Sequence, residues 1–268
     1  MKRTTILVSV IVAVTFATGA VGAENAVAET SDAPSAELKV LYKFVGNWRG
    51  ATTTHKTMST PKEIRGTSTT SCEPVLGGRF TLNRAEASNG ESGLTLTTYD
   101  VHRKCYRMWW FGSQGIAAPE MQGHWNPKTQ TMDWRSENDD GATTIAKGWY
   151  EDDDTAKWTV ITKLPSGEIG FSVEGKETRV KQLPKRKDAP AGKPVERSAE
   201  QKVLDMLVGD WKGASTALKA AWTPKEARLT DTSSCVRILG GRFTESKGKV
   251  SDGTSSRVLT TYDKPQKC

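Results

Sequence analysis

Phe44-Val45-Gly46-Asn47-Trp48-Arg49-Gly50 returns later in the chain as Leu207-Val208-Gly209-Asp210-Trp211-Lys212-Gly213, 163 positions on. The same offset relates Cys72 to Cys235, Gly77-Gly78-Arg79-Phe80 to Gly240-Gly241-Arg242-Phe243, and Tyr99-Asp100 to Tyr262-Asp263. Followed outward, the correspondence runs from Ser35–Cys105 onto Ser198–Cys268 without insertion or deletion, and about half of the aligned positions are identical. The first copy continues to Val180; the second stops at Cys268. A repeat of this length predicts one complete domain, residues 35–180, followed by a partial, C-terminally truncated second copy, residues 198–268.

Each copy opens with a short helical pattern. Ser35 is placed to cap Ala36–Val45, whose apolar positions 38, 41, 44 and 45 share a face, and Gly46 stops it. Beyond Gly46 the chain alternates in strand fashion, with turn residues recurring roughly every 8 to 15 positions. Expected strands are Thr67–Leu76, Arg79–Ala87, Leu94–Tyr99, Lys104–Phe111, Gly123–Asn126, Thr131–Ser136, Ala142–Tyr150, Ala156–Lys163 and Phe171–Val180. Gly77-Gly78 supplies positive φ for a tight turn, and Asp100 is placed to bond the backbone of the next turn. Nine or ten consecutive strands with short turns and no helix between them predict an all-β, antiparallel up-and-down barrel, since closure removes exposed edges.

The aromatic residues gather in the back half of the complete domain: Trp109, Trp110, Phe111, Trp125, Trp134, Trp149 and Trp158. Tyr106, Met108 and Trp110 alternate onto one face. Trp149 and Trp158 stand equally far from the Asp153/Asp154 tip, which predicts cross-strand neighbours on one face. Small barrels are either filled or hold one ligand, so this content reads as packed core or as cavity lining. The candidate ligand-binding residues are Met108, Trp110, Trp125, Trp134 and Trp149.

Lys2 and Arg3, the apolar run Ile6–Phe16 and Val21-Gly22-Ala23 have the form of a secretory signal peptide over residues 1–23, with cleavage near Ala23. Residues 24–34 read as a disordered lead-in, and 181–197 as a basic, Pro-rich linker. The net charge is +7, and the signal and linker together carry six of those seven excess charges. The folded parts are then near neutral, which argues against nucleic acid as a partner. No second apolar run reaches spanning length. The expected location is secreted or periplasmic.

All four cysteines sit at repeat-equivalent positions. In an exported protein this predicts one disulfide per copy, Cys72–Cys105 and Cys235–Cys268, with buried free thiols as the alternative. Zinc is disfavoured by the absence of C-x-x-C or C-x-x-H spacing. His55 and His102 face Leu218 and Pro265 in the second copy, which leaves His124 as the candidate axial ligand for a haem. Asp139-Asp140 and Glu151–Asp154 lack calcium-loop spacing, and no nucleophile, P-loop or paired acid–base motif occurs. The expectation is a non-enzymatic protein with no metal and no cofactor.

The short helix leading into Gly46-x-Trp48, with Arg179 on the closing strand, resembles the lipocalin and fatty-acid-binding-protein superfamily. That resemblance implies that Arg179 packs over Trp48 and closes the barrel base; Trp211 is the second copy's equivalent tryptophan. The ordered set Gly46/Trp48/Gly50, Leu76–Phe80 and Tyr99-Asp100 is also similar to a bacterial family of exported domains of unknown function. The barrel shape is shared with haem-binding nitrobindin-like proteins. Gly77, Gly78, Gly240 and Gly241 are assigned structural roles as turn residues. The implied function is a lipocalin-like module for a small lipophilic ligand. The alternative is a filled barrel serving as a structural or interaction domain of the cell envelope, with a partner chain at the open edge of the second copy.

Overall fold

The computed structural model describes residues 35–183, 197–219 and 225–262. The expected signal peptide, the 24–34 lead-in, most of the 181–197 linker and Cys268 lie outside the described residues. The chain divides into two compact units.

The first unit opens with α1 (Ala36–Tyr42), capped by the Ser35 hydroxyl, which accepts from Leu38 N at 3.3 Å. The helix ends at Tyr42 in a tightened last turn, where the N–H groups of Lys43, Phe44 and Val45 donate to the carbonyls of Val40, Leu41 and Tyr42. Phe44 O accepts from Trp48 Nε1 at 2.9 Å and Val45 O from Arg179 Nη1 at 2.6 Å. The strands are β1 (Gly46–Thr54), β2 (Ile64–Val75), β3 (Phe80–Ala87), β4 (Ser92–Asp100), β5 (Cys105–Gly112), β6 (Ile116–Ala117), β7 (Met121–Asn126), β8 (Thr131–Glu137), β9 (Thr143–Asp152), β10 (Thr155–Lys163) and β11 (Ile169–Val180). Every pairing is antiparallel between neighbours, β6 is a short annex to β5, and β1–β11 and β4–β5 close the ring. The result is a ten-stranded up-and-down barrel, in which no long strand is left with an open edge.

One end is shut. The Arg179 guanidinium lies over the Trp48 ring at 4.2 Å, donates to Val45 O and Lys43 O, and pairs with Asp154 at 3.2 Å. Beside it Leu41 of α1, Tyr106 and Met132 form a buried cluster with Leu38, Tyr99, Trp125 and Trp134 against it. The turn after β2 belongs to this end: Leu76, Gly77 and Gly78 all have positive φ, and Tyr42 Oη donates to Gly78 O at 2.7 Å.

Two expectations fail on register and topology. Trp158 pairs with Gly148, and Trp149 with Lys157, because a bulge between Thr155 and Ala156 shifts the register. A one-residue slip reverses faces, so Trp158 points into the barrel and Trp149 out of it. The cysteines Cys72 and Cys105 are free and buried rather than bonded. Cys72 faces inward on β2, Cys105 starts β5 on the outward face, and β3 and β4 lie between them. Three strand spacings place their Cα atoms on the order of 10 Å or more apart, beyond disulfide reach. Cys235 is also free and buried.

The second unit carries α2 (Ala199–Val203), a 3-10 turn (Leu204–Leu207), and the meander β12 (Gly209–Ala217), β13 (Ala227–Ile238), β14 (Phe243–Val250) and β15 (Ser255–Thr261). Gly209 pairs with Cys235 and Trp211 with Ser233, and Trp211 Nε1 donates to Leu207 O at 2.9 Å. Gly46, Trp48 and Phe44 make the corresponding pairings in the first unit. Trp211 is 51 % exposed, against 2 % for Trp48. Among the described residues no helix is long and apolar enough to cross a membrane.

Candidate functional site

The register fixes which side chains face the lumen. From the buried Trp48, Tyr106 and Met132 the inward face passes through Thr70 on β2, Thr97 on β4, Trp134 on β8, Trp158 on β10 and Glu177 on β11. Its wall is built from indoles laid on glycines. A Cβ at Gly175 would meet the Trp158 ring at 2.5 Å, one at Gly112 would meet Trp110 at 2.5 Å, and one at Gly93 would meet Trp110 Nε1 at 2.9 Å; Gly123 lies under Trp134 in the same way. A ring seated where a neighbouring Cβ is missing lies along the wall instead of across the lumen.

Inward side chains in the half of the lumen away from α1 keep solvent exposure. Trp110 and Phe171 face inward yet are each 37 % exposed, and Met108, Thr95, Val160 and Val173 keep partial exposure. The barrel is a cup, packed under the helix and open at the other end.

Polar groups collect towards the floor. The Glu177 carboxylate accepts from Thr70 Oγ1 at 3.2 Å and from the Trp158 indole N–H. Burial pushes its pKa above the usual carboxylate range, and the two hydrogen bonds only partly offset this. The hydroxyls of Tyr150 and Ser68 are buried without a hydrogen-bond partner. Burial lifts the Tyr150 phenol well above its ordinary range, and burial likewise pushes the Cys72 thiol up to about 12, so neither supplies an anion near neutrality. Apart from Asp152 at a hairpin tip, Glu177 and Arg179 are the charged side chains at inward strand positions among the described residues of this unit. Below the floor, a cleft of about 270 Å³ opens outward between Tyr42, Lys43, Gln130, Tyr150, Asp153, Asp154 and Arg179.

Of the sequence-derived lining set, Met108 and Trp110 line the open half, Trp125 and Trp134 pack on the helix-covered cluster, and Trp149 faces out. His124 is exposed on the outward face opposite Asp133, so it offers no axial ligand to the lumen. Among the described residues no group of three or more His, Cys, Asp or Glu side chains gathers as a metal site. Sequence reading missed Trp158, Glu177, Tyr150 and Ser68. Glu177 stands at a strand position where alternation turns it inward, and that parity with Arg179 was the available signal.

A family model matches residues 33–177, just over half of the chain. The chain belongs to the DUF1579 family. The family's description is "Protein of unknown function". No curated protein matches this DUF1579 chain. Similar solved structures include a protein of unknown function of the DUF3598 family from Nostoc punctiforme, 14 % identical with a TM-score of 0.39, covering 52 % of this chain and 49 % of that one. The chain thus spans about half the length of the Nostoc protein. The S-type phycobiliprotein lyase CPES from Guillardia theta is 12 % identical with a TM-score of 0.40, covering 57 % and 96 %. Rv2717c from M. tuberculosis is 12 % identical with a TM-score of 0.42, covering 55 % and 99 %. At TM-scores this low, none of these likenesses bears on function.

Proposed function

We propose that the first unit is a non-enzymatic binding module that holds a small, mainly apolar ligand in the barrel lumen. The observation that carries this reading is the wall of indoles seated on glycines around a lumen whose open half stays accessible to solvent. The same reading makes the protein an exported carrier or sensor, secreted or periplasmic, whose second unit is a partial copy of the first. The alternative, a filled barrel acting as a structural domain of the cell envelope, draws support from the tight cluster around Leu41, Tyr106 and Met132.

The test is titration of the purified full chain with the neutral lipophilic fluorophore N-phenyl-1-naphthylamine. Saturable emission, displaced by a long-chain alcohol, is expected, and Trp110→Ala should weaken it about tenfold, the worth of one aromatic contact. Absence of saturable, displaceable binding removes the proposal in favour of the filled barrel.

A further inference from the structure

We infer that the lumen selects a hydrophobic cation: a lipophilic ammonium whose nitrogen rests against Glu177 and whose apolar part lies along the indole wall. The inference depends on the lumen being the ligand site, as proposed above, and adds the chemistry of the ligand's head group.

Charge at the inward positions is lopsided. Arg179, the inward cation, is committed at the floor, with its nitrogens bonded to Val45 O, Lys43 O and Asp154 and its plane stacked on Trp48. Among the described residues, nothing positive is left facing the lumen to meet a carboxylate or phosphate. Glu177 is the complementary case. Its described donors are two neutral groups, the Thr70 hydroxyl and the Trp158 N–H, whereas an ionised carboxylate offers about four acceptor sites. A carboxylate largely withdrawn from water without a counter-ion is costly, and an incoming cation relieves that cost. Trp158, inward and only partly buried, also brings an aromatic ring beside the carboxylate, with Gly175 lying under one side of it. An aromatic face next to an acid is the arrangement that holds ammonium groups. A fatty-acid carboxylate entering the same place would meet like charge.

The experiment compares dodecylammonium, dodecanol and dodecanoate as competitors for bound N-phenyl-1-naphthylamine on the full chain. The three share a tail and differ in head-group charge. Dodecylammonium is expected to displace the probe at a concentration at least about tenfold below dodecanol, with dodecanoate weakest. In Glu177→Gln the ammonium should fall to within about threefold of the alcohol, each competitor being measured against the variant's own probe titration. If the probe binds but dodecanoate equals or exceeds dodecylammonium, the inference is overturned and the lumen reading stands. Retention of the ammonium preference in Glu177→Gln overturns it equally. If the probe does not bind at all, the lumen reading fails and takes this one with it. The unmodified chain decides the head-group question even where the variant does not fold.

Discussion

Glu177 and Thr70 hydrogen-bond to each other at 3.2 Å across the strand that separates theirs. Glu177 belongs to β11, Thr70 to β2, and β1 runs between them. The bridge exists because the intervening inward position is Gly50. A Cβ there would stand 2.8 Å from Glu177 Cγ and 2.9 Å from Ser68 Oγ.

Gly50→Ala should therefore push the carboxylate off Thr70. Overpacking of this kind costs about 1–3 kcal/mol, read as a lower urea midpoint with an unchanged slope. A midpoint equal to wild type would show that the wall yields without displacing Glu177.

Ionisation of Glu177 should set part of the pH dependence of stability. Its folded pKa is raised, chiefly by burial, so over the window above the unfolded carboxylate's range the native state keeps a proton the unfolded chain has lost. The stability from that proton is complete at low pH and is lost as pH rises through the folded value. Glu177→Gln does not ionise and retains an acceptor for Thr70 and Trp158. The variant should melt higher than wild type at neutral pH and converge with it near pH 4. Parallel melting curves across that range would contradict the assignment.

Arg179→Ala should cost about 2–4 kcal/mol, the sum of charged hydrogen bonds to two carbonyls and a cation–π contact. Arg179→Lys should recover less than half, because one ammonium cannot bond Val45 O and Lys43 O while lying flat on an indole. Trp48→Ala should exceed Trp211→Ala by a wide margin in urea denaturation, since the second indole is half exposed.

The cysteines give a chemical check. Cys72, Cys105 and Cys235 are buried thiols with raised pKa values, burial being the leading cause. Thiol reagents at pH 8 should modify them slowly in the native chain and at once in denaturant. A peptide map showing Cys72 joined to Cys105 in the native protein would refute the pairing geometry.

Alternation and turns made most of the barrel legible in the sequence: each expected strand lies within a few residues of an observed one. The pairing of Trp48 with Arg179 came from the resemblance to the lipocalin superfamily and not from the pattern. Spacing from a hairpin tip misled for Trp149 because a bulge at Thr155/Ala156 leaves no mark in the pattern. The disulfide expectation rested on redox compartment and repeat equivalence, and neither carries information about how many strands separate two positions. Glu177 escaped notice because a single acid on a strand reads as solvated unless the face of every neighbouring strand is known.

Asn47 lies opposite Val180 in the β1–β11 pairing, so the first and last strands of the barrel run side by side. Such proximity makes the order of the strands along the chain dispensable to the architecture. A circular permutant that joins Val180 to Ser35 through a linker long enough to reach the start of α1, and opens new ends at Gly167 in the hairpin between β10 and β11, would rebuild the same ring from a rearranged gene.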